Sequence, residues 1–193
     1  MNLGTGAMPR KRGTKMLHPL LFCMIAAGLG SAARVAAQYD FGPLSTDEYD
    51  AQMLAVQNEE RARVKVQPLQ WDGALATNAR RWADEMARRG VLMHSSGNDQ
   101  RGMRVGENIW AGTRGAYKPY EMVNAWLDER DIYKPGAFPA NSTTGEWHDV
   151  GHYTQIIWAR TRYVGCAVAQ GEEFDFLVCQ YREAGNVMGQ RPV

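Results

Sequence analysis

The sequence predicts an α/β/α sandwich, and three observations predict it. Three segments carry apolar residues at helical spacing. The C-terminal part changes to two β-rich runs, Tyr163–Ala169 and Phe174–Tyr181, joined by a short loop. Both faces of the resulting hairpin are apolar, so the sheet needs cover on both sides, which the helices can supply.

Ser45-Thr46-Asp47-Glu48 has the form of a capping box, with Ser45 as N-cap and Glu48 three residues on. Tyr49, Met53, Val56 and Glu60 then step at helical spacing, so this helix is expected to reach about Arg63, with Pro68 beyond it. Asp72 can cap a second helix, whose Leu75, Ala79, Trp82 and Met86 share one face and which Gly90 ends. Pro119 suits the first turn of a third helix, from about Lys118 to Tyr133. The polar stretch Ser95–Gly106 and the proline- and glycine-bearing stretch Lys134–Glu146 are expected to be loops.

In the hairpin, a two-residue turn at Glu172-Glu173 sets a register in which Cys166 falls opposite Cys179. Directly opposed strand positions lie roughly 4.5–5.5 Å apart at Cα, within reach of a disulfide. Val164, Cys166, Val168, Leu177 and Tyr181 then share one face, and Ala167, Ala169, Phe176 and Val178 the other.

The N-terminal residues have the three parts of a secretory leader. Arg10, Lys11, Arg12 and Lys15 make a basic region, Leu17–Leu29 is mostly apolar, and Val35-Ala36-Ala37 offers small residues for cleavage. The apolar stretch is short for a membrane-spanning helix of about 20 residues. The expected division is therefore a signal peptide over 1–37 and a single domain over 38–193, placed outside the cell or in a periplasm, with no transmembrane helix in the mature chain. Five of the 22 basic residues and none of the acidic ones lie in the leader, so the formal charge changes from +1 to −4 on its removal. An acidic balance argues against a nucleic-acid partner. Cys23 leaves with the leader, and the even pair that remains in an exported chain again points to one disulfide, Cys166–Cys179. A composition of 45% apolar and 22% charged residues is that of a globular domain and excludes a disordered chain.

Chemistry is concentrated in few residues. The mature part has three histidines, His94, His148 and His152. Glu129 is expected on the apolar stripe of the third helix with Met122, Ala125 and Trp126, where a carboxylate needs a partner. Glu107, inside Val105-Gly106-Glu107-Asn108-Ile109, poses the same question. Two histidines and two carboxylates can bind a metal ion such as Zn²⁺, act as acid and base, or form a structural hydrogen-bond network. No H-E-x-x-H spacing is present. Ser95 and Ser96 follow His94, but there is no G-x-S-x-G motif.

Gly151-His152-Tyr153-Thr154-Gln155-Ile156-Ile157-Trp158-Ala159-Arg160-Thr161 resembles the first signature of the CAP superfamily, which holds cysteine-rich secretory, antigen 5 and pathogenesis-related class 1 proteins. Phe176-Leu177-Val178-Cys179-Gln180-Tyr181, followed by Gly185-Asn186-Val187, resembles the second, with Glu183 as a departure. Asn58 and Arg61 resemble an H-N-x-x-R helix in which Gln57 replaces the histidine. Pro68-Leu69-Gln70-Trp71-Asp72, His94-Ser95, Gly106-Glu107-Asn108-Ile109 and Trp126-Leu127-Asp128-Glu129 also match family motifs. Val150 stands where many members have a cysteine.

The resemblance implies a three-layer α/β/α fold (the CAP or SCP domain) and a cleft tetrad of His94, Glu107, Glu129 and His152. It implies Zn²⁺ or another divalent cation at His94 and His152 as the sole cofactor, and a lipid or sterol as ligand. The expected function is a secreted binding protein without established turnover. The aromatic-bearing segment Tyr133–Trp147, with Tyr133, Phe138 and Trp147, is expected to help line an apolar pocket. The alternatives are a metal-assisted hydrolase (protease or esterase), with Glu107 or Glu129 as base, and an extracellular effector that meets a protein partner through its surface.

Overall fold

The structure, a computed structural model, describes residues 46–99 and 101–193. The expected leader and the Ser45 cap lie outside the described residues. Within them a four-stranded sheet has the order β1-β3-β4-β2. The strands are β1 (Gln70–Trp71), β2 (Gly106–Thr113), β3 (Tyr163–Gln170) and β4 (Phe174–Arg182), and the helices are α1 (Thr46–Arg63), α2 (Gly73–Arg89), α3 (Pro119–Leu127) and α4 (Gly151–Ile156). The β3–β4 and β2–β4 pairs are antiparallel and β1–β3 is parallel. Among these described residues no helix is long and apolar enough to cross a membrane.

The hairpin has the expected register, because a turn of Glu172 and Glu173 is closed by Gly171 N–H donating to the Phe174 carbonyl at 2.7 Å. Cys166 faces Cys179 and is bonded to it, with the Cα atoms 4.1 Å apart. Each face has its own core. Ala167, Ala169, Phe176 and Val178 pack under α2, against Ala79, Ala83 and Met86. Val164, Leu177 and Tyr181 pack with the disulfide under Met53 of α1, Trp126 of α3 and Ile156 of α4. Each large apolar side chain buried this way contributes about 1.5–3 kcal/mol, which explains why the sheet is covered twice.

α2 has the expected ends. Asp72 accepts from the backbone N–H groups of Ala74 and Leu75, and Gly90 takes the left-handed conformation at φ 66° that a side chain would strain. Its close approach to the sheet depends on Gly165. A Cβ there would lie 2.1 Å from the Ala76 nitrogen and 2.6 Å from the Asp72 carbonyl oxygen, both helix backbone.

α1 is less apolar on its inner face than its spacing suggests. Gln57, Glu60 and Arg61 are buried there beside Met53. The Arg61 guanidinium donates to the carbonyls of Gln67, Ile156, Trp158 and Thr161 at 2.7–3.0 Å. It thereby ties α1 to the end of α4 and to the run into β3. Burial pulls its pKa down to about 10, so it stays charged at neutral pH.

Two expectations need correction. The third helix is α-helical only to Leu127, and Asp128–Ile132 continues it as a tighter 3₁₀ turn. Glu129 is therefore carried by that turn rather than by the helical stripe, and Ala125 faces solvent. The tighter winding redirects side chains by a fraction of a turn relative to an α-helix. β1, β2 and α4 had no forecast as elements, since β1 and α4 are too short for a periodic pattern. β2 alternates weakly, because its inward positions include Glu107.

Candidate functional site

β2 is an edge strand, and its first residues face both helical layers. Glu107 lies on the α2 side, two positions from Ile109, which belongs to the α2 core. The segment beyond Gly90 brings His94 Nδ1 to 2.9 Å from Glu107 Oε1. The Ser95 N–H donates to the same oxygen at 2.8 Å, and Gln180 Nε2 donates to Glu107 Oε2 at 3.0 Å. Burial alone would push the Glu107 carboxyl up. The hydrogen bonds from His94, Ser95 and Gln180 outweigh it and hold the group below the usual carboxylate value. Glu107 is therefore an ionised acceptor, and His94 Nδ1 is the donor.

The second pair comes from the opposite layer. The 3₁₀ turn after α3 carries Glu129, and α4 carries His152. His152 Nδ1 lies 2.5 Å from Glu129 Oε1, and the Tyr153 N–H donates to Glu129 Oε2 at 2.9 Å. The His152 ring stacks on Trp126 with centroids 5.7 Å apart, and Asn108 Nδ2 of β2 donates to the His152 carbonyl at 3.1 Å. Behind this pair Glu60 of α1 is buried. It accepts from Tyr153 Oη, from Arg63 and from Arg130, the residue after Glu129.

A cavity of about 390 Å³ has His94, Glu107, His148 and His152 in its lining, with Phe138 and Trp147. Glu129 stands behind His152 and is not in the lining. Tyr133 departs from expectation as well: it packs edge-on against Tyr153 at 5.2 Å, away from the cavity. Phe138 and Trp147 meet edge-to-face at 5.2 Å. Each of the two histidines uses Nδ1 on a carboxylate, which leaves Nε2 as its free ring nitrogen. Carboxylates placed behind a metal site hold its imidazoles in this way. Imidazole nitrogens are donors of a kind that Zn²⁺ accepts. Among the described residues no group of three or more His, Cys, Asp or Glu is gathered closely enough to hold an ion by itself.

Sequence reasoning had no role for Glu60, Asn108, Tyr153 or Gln180. All four are buried polar or aromatic residues that fix a tetrad member or its neighbour. Asn108, Tyr153 and Gln180 lie inside the quoted motifs, and the first two adjoin tetrad members, whereas Glu60 carries no such signal.

Comparison with known proteins agrees with this architecture. A family model described as CAP, the cysteine-rich secretory protein family, matches residues 54–181. The chain is 36% identical over 143 residues to the pathogenesis-related protein PR-1 of Medicago truncatula, covering 73% of this chain and 77% of that protein. It is 32% identical over 164 residues to the pathogenesis-related protein PRMS of Zea mays, covering 83% and 90%. Among solved structures, Na-ASP-1 matches with a TM-score of 0.63 at 27% identity, over 80% of this chain but only 43% of that one. A structure of NaASP2 with Zn²⁺ matches with a TM-score of 0.62 at 25% identity, over 79% of this chain and 87% of that one. The chain belongs to the CAP, or cysteine-rich secretory protein, family and is a pathogenesis-related-like member of it.

Proposed function

We propose that this protein is secreted and acts by binding, with a divalent cation such as Zn²⁺ held at His94 and His152 and an apolar or lipid-like group accommodated beside it. One observation carries the reading: both imidazoles line the same cavity with Nδ1 already engaged by a carboxylate. A bound cation would supply positive charge and open coordination sites at the cavity floor. Phe138 and Trp147 offer apolar ring surface in the same lining, suited to a sterol or an acyl chain. A relative of 25% identity has been crystallised with Zn²⁺, which is consistent with this reading.

Binding is better supported than hydrolysis by Glu107 or Glu129. A general base must lie within hydrogen-bond reach of the proton it takes. Glu129 is outside the cavity lining and accepts from His152 and Tyr153, and Glu107 already accepts from His94, Ser95 and Gln180. Both carboxylates are thus engaged in orienting imidazoles.

Calorimetric titration of the mature protein with Zn²⁺ tests the reading. The expected result is one saturable site that His94→Ala and His152→Ala each abolish. Equal binding by wild type and both variants, or no binding by wild type, would overturn the cation site. A panel of fatty acids and sterols, with and without Zn²⁺, tests the apolar part, and no saturable binding in either condition removes it.

A further inference from the structure

We infer that Gln180 is a positioning residue for His94, acting through Glu107 and itself locked by Asn78 of α2. The cation-binding arm of this inference rests on the proposed role of His94; its hydrogen-bonding arm does not.

The chain of contacts begins with a glycine. Gly165, Gln180 and Glu107 occupy one row across β3, β4 and β2, and their side-chain positions face α2. The missing side chain at Gly165 lets the α2 backbone settle on the sheet. That approach brings Asn78 over Gln180, and Asn78 Nδ2 donates to Gln180 Oε1 at 2.5 Å. Gln180 Nε2 then donates to Glu107 Oε2 at 3.0 Å, and Glu107 Oε1 faces His94 Nδ1 at 2.9 Å.

The direction of every bond is fixed from the inner end. An ionised carboxylate only accepts, so Gln180 must turn its NH₂ toward Glu107 and its oxygen toward Asn78. Asn78 must then turn its own NH₂ inward. A buried glutamine whose two amide atoms are both used in this way has one orientation. It leaves Glu107 with one orientation, and His94 with its proton on Nδ1 and its lone pair on Nε2. His94 needs this support more than His152 does. The His94 side chain is 60% exposed against 30% for His152, and among the described residues it has no stacking partner comparable to Trp126.

The test uses Gln180→Leu, which keeps the volume close and removes both amide atoms. Asn78→Ala is the second variant: it removes only the outer lock from a half-buried position and leaves the core intact. Imidazole ¹⁵N–¹H correlation spectra of the metal-free protein, at a pH where the rings are neutral, report the tautomer of each histidine. Wild type is expected to show His94 wholly as the Nδ1–H form. Gln180→Leu is expected to show a mixture at His94 and no change at His152, the internal control. Asn78→Ala should move His94 in the same direction by less. In the binding arm, Zn²⁺ affinity in Gln180→Leu should fall about 10-fold or more, the scale of loss when a residue supporting a metal ligand is removed. An unchanged His94 tautomer in both folded variants overturns the inference, even if Zn²⁺ affinity drops. A shifted tautomer in a protein whose wild type binds no Zn²⁺ keeps Gln180 as the positioning residue and removes only the cation reading. If Gln180→Leu fails to fold, Asn78→Ala decides alone.

Discussion

The hydroxyl of Tyr153 donates to the buried carboxylate of Glu60 at 2.8 Å, and the backbone N–H of the same tyrosine donates to Glu129 at 2.9 Å. One residue thus fastens α4 to α1 and the His152–Glu129 pair to α4. Burial and the neighbouring Glu60 carboxylate both hold the Tyr153 hydroxyl in its protonated, donating form.

Tyr153→Phe removes that donor while keeping the ring and its edge contact with Tyr133. Glu60 then keeps only its arginine partners in a buried position. The expected cost is about 1.5–3 kcal/mol, as for a hydrogen bond to a charged group. Urea denaturation checks it, and a midpoint equal to wild type contradicts it.

Gly165→Ala is expected to be among the most damaging single-methyl changes in the chain. The added Cβ meets the backbone of α2, which has no rotamer to escape to. A loss of at least about 3 kcal/mol, or failure to fold, is expected from overpacking against backbone. Guanidinium denaturation measures it, and a change below about 1 kcal/mol would show that α2 can lift from the sheet at little cost.

The Glu107 carboxyl titrates below its unfolded value of about 4.3. A group depressed in the folded state contributes stability that is complete above its unfolded pKa. That contribution is lost as pH falls through the folded value. Stability should therefore drop on acidification from about pH 5 downward. Glu107→Gln should flatten that slope relative to wild type, since the amide has no proton to take up. Chemical denaturation at a series of pH values gives both slopes, and parallel curves would show that Glu107 is not a contributor.

Asn141 begins the tripeptide Asn141-Ser142-Thr143, the acceptor pattern for N-glycosylation. Its side chain is fully buried, and neither amide atom has a hydrogen-bond partner among the described residues. A glycan cannot be attached there without displacing the loop. Protein secreted in folded form from a eukaryotic host is expected to carry no glycan at Asn141. Peptide mass spectrometry of the disulfide-bonded fraction decides the matter, and a glycan at that position would show the loop to be open.

Much of the fold was legible in local residues. Asp72 and Gly90 bracket α2 because caps act on the backbone within a few residues. The β3–β4 register follows from a two-residue turn, and the disulfide follows from that register. The two apolar faces of the hairpin required two helical layers. The family motifs brought His94, Glu107, Glu129 and His152 forward as one set. What spacing could not give is how a helix ends under load: α3 tightens after Leu127, and that places Glu129 behind His152 instead of in the cavity. Spacing also could not assign the polar residues buried on α1, because Gln57, Glu60 and Arg61 each have a partner distant in the chain, Tyr181, Tyr153 and Ile156 respectively.

The sequence alone therefore determined the layers, the hairpin and the disulfide, which depend on neighbours in the chain, and motif matches put forward His94, Glu107, Glu129 and His152. The tertiary structure decided the pairing, His94 with Glu107 and His152 with Glu129, and the roles of Gln180 and Tyr153 behind it. Those contacts join separate elements on each side of the sheet. Their distances are set by how closely α2 and α4 pack, a quantity no local pattern encodes.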